Sequence, residues 1–177
     1  MTAVSLLVAD AASSTLAVLA QTGSVLTPTT LLGGAVAIVV LLALSAFFSG
    51  SEIAVFSLEQ HRVDSLREAG GAGALLARLR EDPHRLLVTL LVGNNVVNIA
   101  ISSIVTVLVA SYLPSGAAVV VTTLCTSFLV LVFGEIVPKA FGLGNAESWS
   151  LRIASPIRLV ERALSPLITL FDGITRR

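Results

Sequence analysis

Charge is missing from two long stretches of this chain of 177 residues. No charged residue lies between Asp10 and Glu52, a gap of 41 positions, or between Arg85 and Glu135, a gap of 49. Water-soluble domains rarely contain such stretches, whereas the hydrocarbon core of a bilayer requires them. Charged residues make up 12% of the chain, against about 25% in ordinary globular proteins, and the mean hydropathy is +0.94. The sequence therefore predicts an integral membrane protein.

Cysteine and N-terminal basic residues are also scarce. The one cysteine, Cys125, lies in an apolar run, so it forms no internal disulfide and is expected to pack among apolar neighbours. No lysine or arginine precedes Arg62, so the first residues lack the basic region of a secretory signal peptide. The net charge of zero gives no indication of a nucleic-acid partner. We interpret residues 1–29 as an N-terminal segment outside the membrane core, with a short helix over about 3–20 as an alternative.

Three apolar segments are long enough to cross a bilayer. They cover about residues 31–51, 84–110 and 114–134, and a short turn at 111–116 separates the last two. An α-helix of about twenty residues rises about 30 Å, which is the thickness of the hydrocarbon layer. The sequence therefore predicts an all-α membrane protein with three transmembrane helices.

The remaining segments are amphipathic. Residues 52–85 hold both histidines and apolar residues at helical spacing, interrupted by a glycine cluster at 70–73, which predicts a cytoplasmic helical hairpin. Residues 142–175 alternate basic and apolar residues, which is typical of juxtamembrane helices lying at the membrane surface. Pro156 and Pro166 are expected to break this last region into short helices.

All eleven basic residues fall on the same side of the three predicted spans. Five lie in 52–85 and six in 135–177, while none lies in 1–30 or 111–116. The positive-inside rule then predicts a multi-pass protein of the cell (plasma) membrane, with its N-terminus outside and its C-terminus in the cytoplasm.

Polar residues within the spans are candidates for function, because polar groups are costly in hydrocarbon. Ser45 and Ser49 are four residues apart and share a face of the first span, and Asn94 and Asn98 share a face of the second. Amide and hydroxyl oxygens suit a small hard cation. The alternative is that these side chains only form hydrogen bonds that hold the helices together.

The third span offers a different kind of oxygen. Pro138 has no N–H to bond the carbonyl of Gly134, and Gly134 has no side chain to cover that oxygen. The carboxylate of Glu135 follows, and transporters tend to build ion sites from freed carbonyls and carboxylates at helix breaks. The alternative is that Pro138 simply ends the helix and that Glu135 is solvated or paired with Lys139. Oxygen ligands without sulfur or imidazole favour Mg²⁺ over zinc or copper.

Three short motifs, one in each predicted span, resemble the transmembrane domain of the CNNM/CorC magnesium transporters. They are Phe48-Ser49-Gly50, the Gly-Asn-x-x-x-Asn of Gly93 to Asn98, and Gly134-Glu135-Ile136-x-Pro138. The resemblance covers about residues 30–175. It implies a homodimer in a lipid bilayer, each subunit binding Mg²⁺ in an inward-facing cavity through serine and asparagine side chains and a backbone carbonyl. The metal ligands that it implies are Ser45, Ser49, Asn94, Asn98 and the carbonyl of Gly134, with Glu135 nearby.

The resemblance also implies a function. We expect a Mg²⁺ transporter, and the resemblance implies an exporter coupled to Na⁺ entry. The alternative is a membrane anchor or Mg²⁺ sensor that does not transport. Enzyme activity is not expected, because the two histidines that could serve a serine nucleophile, His61 and His84, lie in the charged segment at or beyond the membrane edge. Members of the family usually continue into a cytoplasmic CBS-pair domain that binds ATP, which is not expected within this chain.

Overall fold

A computed structural model describes residues 27–175 of the chain, with side chains over residues 27–165. The interpretation of residues 1–29, including the alternative helix over 3–20, therefore falls almost entirely outside the described residues. In the described part every regular element is helical and no strand is present, which confirms the predicted all-α class. The helices are α1 (Pro28–Ser57), α2 (Gln60–Ala69), α3 (Gly71–Leu79), α4 (Pro83–Ala110), α5 (Ser115–Leu129), α6 (Val137–Gly144) and α7 (Ala146–Thr175), and a π-helical segment, Val130–Ile136, joins α5 to α6.

Three helices are long and apolar enough to cross a membrane, which confirms the predicted number of spans. Capping residues define where the first two begin. The hydroxyl of Thr27 accepts a hydrogen bond from the N–H of Thr30, and the carboxylate of Asp82 accepts one from the N–H of Arg85. A proline follows each cap at the first helical position, where its missing N–H costs nothing. The spans are Pro28–Ser57, Pro83–Ala110 and Ser115–Gly144.

The third span is longer than the predicted 114–134, because Pro138 does not end it. At the end of the π-helical segment the N–H of Val137 bonds the carbonyl of Val132, five residues back. Pro138 then lies in the first turn of α6, where a residue without an N–H is tolerated. The π-helical segment therefore lets the span continue through the proline to Gly144.

The predicted hairpin is formed by α2 and α3, which lie beyond the end of α1. Gly70 and Gly71 have φ angles of 79° and 56°, a left-handed conformation that favours glycine. The two helices pack so closely that a Cβ at Gly73 would overlap the carbonyl oxygen of Leu66. We call the end of the molecule that carries α2 and α3 the hairpin end, and the opposite end, where α4 turns into α5, the loop end.

Arg80 ties the hairpin to the first span. Its Nη1 donates to the carbonyl oxygens of Val55 and Leu58, each at 2.8 Å. These carbonyls lie at the end of α1, where no further helical turn supplies N–H groups to them. The arginine therefore satisfies two carbonyl oxygens at the end of α1 and fixes the position of α3 next to that end.

The C-terminal region is one continuous helix, α7, so the expectation that Pro156 and Pro166 break it is wrong. The carbonyl that Pro156 leaves without a partner belongs to Arg152, and both residues are exposed, so solvent can satisfy that oxygen. Ile153 and Ile157, on the adjoining face, are fully buried and anchor the helix on either side of Pro156. Packing of this apolar face outweighs the cost of the proline.

The best-packed part of the protein lies at the hairpin end, where α7 covers α1, α3 and α4. Arg85 of α4 donates to Glu161 of α7 at 2.5 Å and adds a polar link between these helices. Towards the loop end, by contrast, the outer faces of the spans expose large apolar side chains, as lipid contact requires. The largest fully buried apolar residues of the hairpin end are Val55, Val63, Leu76, Leu86, Leu90, Ile153 and Ile157.

A second ion pair joins α2 to α7. The guanidinium of Arg62 donates to both carboxylate oxygens of Glu147, with Nε–Oε2 and Nη2–Oε1 distances of 2.6 and 2.8 Å. Hydrogen bonding by Arg62 lowers the pKa of Glu147 below its ordinary value, and the same contact raises the pKa of Arg62.

We predict a pH-dependent effect of Arg62→Met. Because the folded-state pKa of Glu147 is lowered, the pair contributes stability that is present above the ordinary value of 4.5 and is lost as the pH falls through the lowered pKa. The variant should therefore unfold at a lower temperature than the wild type at neutral pH, and the difference should shrink under acidic conditions. Thermal unfolding in detergent measures this. Arg152→Met, at an exposed arginine without an ion pair among the described residues, is the control. A difference that stays constant into the acid range contradicts the prediction.

The backbones of α1 and α6 touch where they cross. A Cβ at Gly142 would overlap the carbonyl oxygen of Gly50, and a Cβ at Gly50 would lie 3.1 Å from the carbonyl oxygen of Pro138. Contact between two backbones cannot relax by a change of rotamer, so this crossing sets the position of the π-helical segment relative to α1.

We predict that Gly142→Ala destabilises the protein by about 1–3 kcal/mol, because the added methyl group forces the two backbones apart. Gly144→Ala is the matched control in the same helix, since a Cβ at Gly144 would meet no atom within 4 Å. Thermal or chemical unfolding in detergent compares the two variants. Equal stabilities would show that the crossing is not tight.

Candidate cation site

Ser45 lies at the centre of the site and is completely buried in α1. Its Oγ donates towards two amide oxygens of α4, Oδ1 of Asn98 at 2.8 Å and Oδ1 of Asn94 at 3.1 Å. A serine hydroxyl carries one proton, and an amide oxygen is only an acceptor. Three oxygen atoms from two spans therefore converge around a single proton, which leaves several lone pairs directed at the same point.

Gly134 brings the third span against this cluster. A Cβ added at Gly134 would lie 2.7 Å from the Oγ of Ser45, so only glycine fits the present position of the hydroxyl. Gly134 is in the π-helical segment, and Pro138 can bond neither the carbonyl four residues back nor the one five residues back. The structure therefore brings backbone of the third span together with Ser45, Asn94 and Asn98, and their role as cation ligands stays a prediction.

Ser49 lies one turn from Ser45 on the same face of α1, towards the hairpin end. It is completely buried, and among the described residues its Oγ has no hydrogen-bond partner. Ser51, by contrast, donates to the carbonyl oxygen of Phe47 in its own helix. An unpaired buried hydroxyl costs about 1–3 kcal/mol, so Ser49 keeps an unused oxygen beside the site. No hydrogen bond joins it to Asn94 or Asn98.

Glu135 is half-buried next to Gly134. Within the described residues no basic side chain reaches ion-pair distance of its carboxylate. Lys139 instead lies 3.5 Å from an oxygen of Glu52, so the expected alternative of a Glu135–Lys139 pair is not observed. No hydrogen bond joins Glu135 to Ser45 or the two asparagines, so of the predicted site residues Ser49 and Glu135 are near the cluster in sequence without being linked to it.

Two motif residues that we did not predict to matter position the asparagines. An added Cβ at Gly93 would lie 2.6 Å from two ring atoms of Phe48, so the absence of a side chain lets α4 approach α1 at this level. Gly93 precedes Asn94, and Phe48 precedes Ser49. The close packing of this pair brings the polar faces of α1 and α4 into register, and the signal in the sequence was that each residue directly precedes a predicted site residue.

The atoms at this site that could bind a metal ion are hydroxyl, amide and backbone oxygens. In the part of the chain that the structure describes, no three histidine, cysteine, aspartate or glutamate side chains come together as they do in zinc or iron sites. Neutral oxygens suit the hard cations Mg²⁺, Ca²⁺ and Na⁺.

Comparison with known proteins places this arrangement in a family. The family model described as the Cyclin M transmembrane N-terminal domain matches residues 36–177. The chain belongs to this CNNM family. Membership agrees with the three motifs that line the contact between the spans, and it shows that the chain is a CNNM membrane domain.

Curated relatives agree with this assignment. A UPF0053 protein of Haemophilus influenzae is 37% identical over 140 residues, which are 78% of this chain and 33% of the relative. The UPF0053 inner membrane protein YfjD of Escherichia coli is 33% identical over 134 residues, 75% of this chain and 31% of YfjD. A chloroplastic DUF21 domain-containing protein of Arabidopsis thaliana is 34% identical over 128 residues. The chain thus spans about a third of the length of its bacterial relatives, and the inner-membrane relative supports a membrane location.

We predict that the effects of substituting Ser45 and Gly134 are coupled. Gly134→Ala pushes against the Ser45 hydroxyl and should disturb its hydrogen bonds, so it should destabilise this CNNM domain in the wild-type background. In a Ser45→Ala background the obstructing oxygen is gone and the same change should cost less, with a coupling energy of about 0.5–3 kcal/mol. A double-mutant cycle of unfolding free energies measures this, and Gly33→Ala, with no atom within 4 Å, is the control. Additive effects would show that the two residues do not touch.

Proposed function

We propose that this CNNM domain transports Mg²⁺ and that Ser45, Asn94, Asn98 and the carbonyl of Gly134 hold the ion during transport. The observation that carries the proposal is the convergence of the Ser45 hydroxyl and two amide oxygens on one point between α1 and α4, at hydrogen-bond distances of 2.8 and 3.1 Å. A divalent cation at this point would accept lone pairs from all three oxygens. The single hydroxyl proton, by contrast, is shared between the two amide oxygens and leaves other lone pairs unused.

Mg²⁺ requires octahedral geometry and gives up its water reluctantly, so it usually keeps several waters when a protein binds it. Four neutral oxygens replace only part of that shell, which keeps binding weak enough for release. Ser49 and Glu135 extend the group of proposed oxygen ligands towards the hairpin end. The unpaired hydroxyl of Ser49 would contact the ion or one of its waters, and Glu135 would supply negative charge close to it.

The direction of transport and the assembly are part of the same proposal. The basic residues of the hairpin and of α7 favour a cytoplasmic hairpin end, so the ion would enter the site from the cytoplasm. Export coupled to Na⁺ entry and a homodimeric assembly are supported by the resemblance described above. In this scheme Arg80 and Arg85, which link α1 and α4 to the hairpin and to α7, hold the cytoplasmic ends of the two ligand-bearing spans.

A second candidate is a membrane anchor or Mg²⁺ sensor that does not transport. It is favoured by one observation, which is that the Ser45 bonds to Asn94 and Asn98 also hold α1 against α4. Hydrogen bonds of this kind stabilise helix contacts in membranes by about 0.6–2 kcal/mol. This candidate predicts no flux, with the asparagines contributing to stability alone.

We predict that Asn94→Ala or Asn98→Ala weakens Mg²⁺ binding at least tenfold, because each removes an oxygen that the ion would need. Asn95→Ala is the matched control, since Asn95 is exposed and turned away from the cluster. Isothermal titration in detergent measures affinity, and a Mg²⁺-sensitive dye in liposomes measures flux. Size-exclusion chromatography should show the same assembly for all three variants.

Two outcomes would contradict this proposal. If both Asn94→Ala and Asn98→Ala keep the wild-type affinity for Mg²⁺, the two asparagines do not bind the ion. Wild-type protein that binds Mg²⁺ but gives no flux, with the asparagine variants less stable than Asn95→Ala, favours the non-transporting sensor.

A further inference from the structure

Three threonine hydroxyls in the second and third spans are satisfied by their own helix. Thr89 donates to the carbonyl oxygen of Arg85 at 2.8 Å, Thr106 to that of Ser102 at 2.7 Å, and Thr123 to that of Val119 at 2.8 Å. In each pair the acceptor is four residues back, which is the usual solution for a threonine in a membrane helix. A hydroxyl that departs from this pattern in hydrocarbon therefore needs an explanation.

Thr122 and Thr126 of α5 both depart from it. Their Oγ1 atoms are buried and, among the described residues, have no hydrogen-bond partner. Thr122 as a whole is 6% exposed, while its neighbour Thr123 is exposed and bonded within its own helix. Because the two residues are four apart, their hydroxyls lie on the same face of α5, one turn from each other.

This face points into the protein. α5 packs mainly against α4, so its buried residues lie in the contact between the second and third spans. The same row of α5, continued every fourth residue, passes through Val130 to Gly134, and a Cβ at Gly134 would lie 3.7 Å from Cγ1 of Val130. The two unpaired hydroxyls therefore lie on the helix that leads directly into the backbone that closes the candidate cation site.

The two threonines also lie on the side of the site that the hairpin does not occupy. At a rise of about 1.5 Å per residue, Thr126 is about 12 Å and Thr122 about 18 Å from Gly134 towards the loop end. On α4 the row that carries Asn94 and Asn98 continues in the same direction to Ser102, which is half-buried. Oxygen atoms from both helices thus extend from the site towards the opposite membrane surface.

We propose that the hydroxyls of Thr122 and Thr126 form the outer half of the cation pathway and contact the hydrated Mg²⁺ between Asn98 and the loop end. An unpaired buried hydroxyl costs about 1–3 kcal/mol, and α5 carries two of them on one face. Because these hydroxyl oxygens have no hydrogen-bond partner, their lone pairs can replace some of the water contacts of a passing cation. The hydrocarbon core offers a cation no other such contacts. This inference rests on the proposed transport function.

The test is the double variant Thr122→Val, Thr126→Val, which removes both hydroxyls and keeps the branched shape. Flux of Mg²⁺ into dye-loaded liposomes should fall at least tenfold, while the Mg²⁺ affinity measured by titration stays within twofold of the wild type, because the site at Ser45 is untouched. Thermal stability should stay the same or rise, since two unsatisfied polar groups are gone. Thr122→Ser, Thr126→Ser keeps the hydroxyls and should keep flux, and Thr123→Val should change none of the three measurements.

The outcomes separate this inference from the proposal on which it rests. Wild-type flux in the double valine variant overturns the pathway and leaves the transport function standing. Loss of thermal stability or of Mg²⁺ affinity in that variant shows that the hydroxyls serve packing, and also overturns it. A wild-type protein without flux refutes the transport function, and the pathway with it.

Discussion

The fold depends on one constraint, which is that the bilayer core contains no water to satisfy polar groups. The chain meets this constraint in three ways. Six serines and threonines of the spans donate to carbonyls of their own helix, Arg80 covers the end carbonyls of α1, and Ser45 bonds two amides across to α4. Within the spans, the hydroxyls of Ser49, Thr122 and Thr126 are buried without a hydrogen-bond partner among the described residues, as are the polar side-chain atoms of Trp149 and Ser150 in α7. Because an unpaired buried hydroxyl costs stability, the three in the spans need a reason other than folding. They lie on α1 and α5, the two helices that lead to Ser45 and to Gly134.

Glycine determines how close the spans come at the site. Helices in lipid gain little from the hydrophobic effect, so they associate through tight packing of small residues and through hydrogen bonds. At Gly93, Gly134 and Gly142 an added Cβ would meet Phe48, Ser45 and the backbone at Gly50, respectively. Each of these contacts joins α1 to another span at the level of the polar cluster. The motifs of the sequence are therefore packing motifs, and the proposed ligands depend on this packing, because their oxygens converge only if the backbones touch.

Much of this arrangement could be predicted from the sequence because it follows from local rules. Uncharged stretches located the spans, and four-residue spacing put Asn94 and Asn98 on the face that meets Ser45. The π-helical segment could not be predicted, because its hydrogen-bond register depends on how α6 crosses α1. The continuity of α7 through Pro156 depends likewise on packing of a face that the sequence alone does not locate. Thr122 and Thr123 are adjacent and chemically identical, so only their surroundings distinguish the unpaired hydroxyl from the satisfied one.

Continuity of the third span also matters for the chemistry of the site. Had Pro138 ended the helix, the carbonyl of Gly134 would lie at a free terminus, where helices fray and water reaches the backbone. Instead α6 continues and is held against α1 at Gly142, so the backbone around Gly134 stays fixed beside the Ser45 hydroxyl. The fixed groups on this side of the cluster are oxygen acceptors, and the hydroxyl contributes a single proton. An anion would face lone pairs at this point and be repelled, whereas a cation would satisfy several of them at once. The lone pairs at this point, together with the nearby carboxylate of Glu135, thus agree with the cation that is proposed as the ligand.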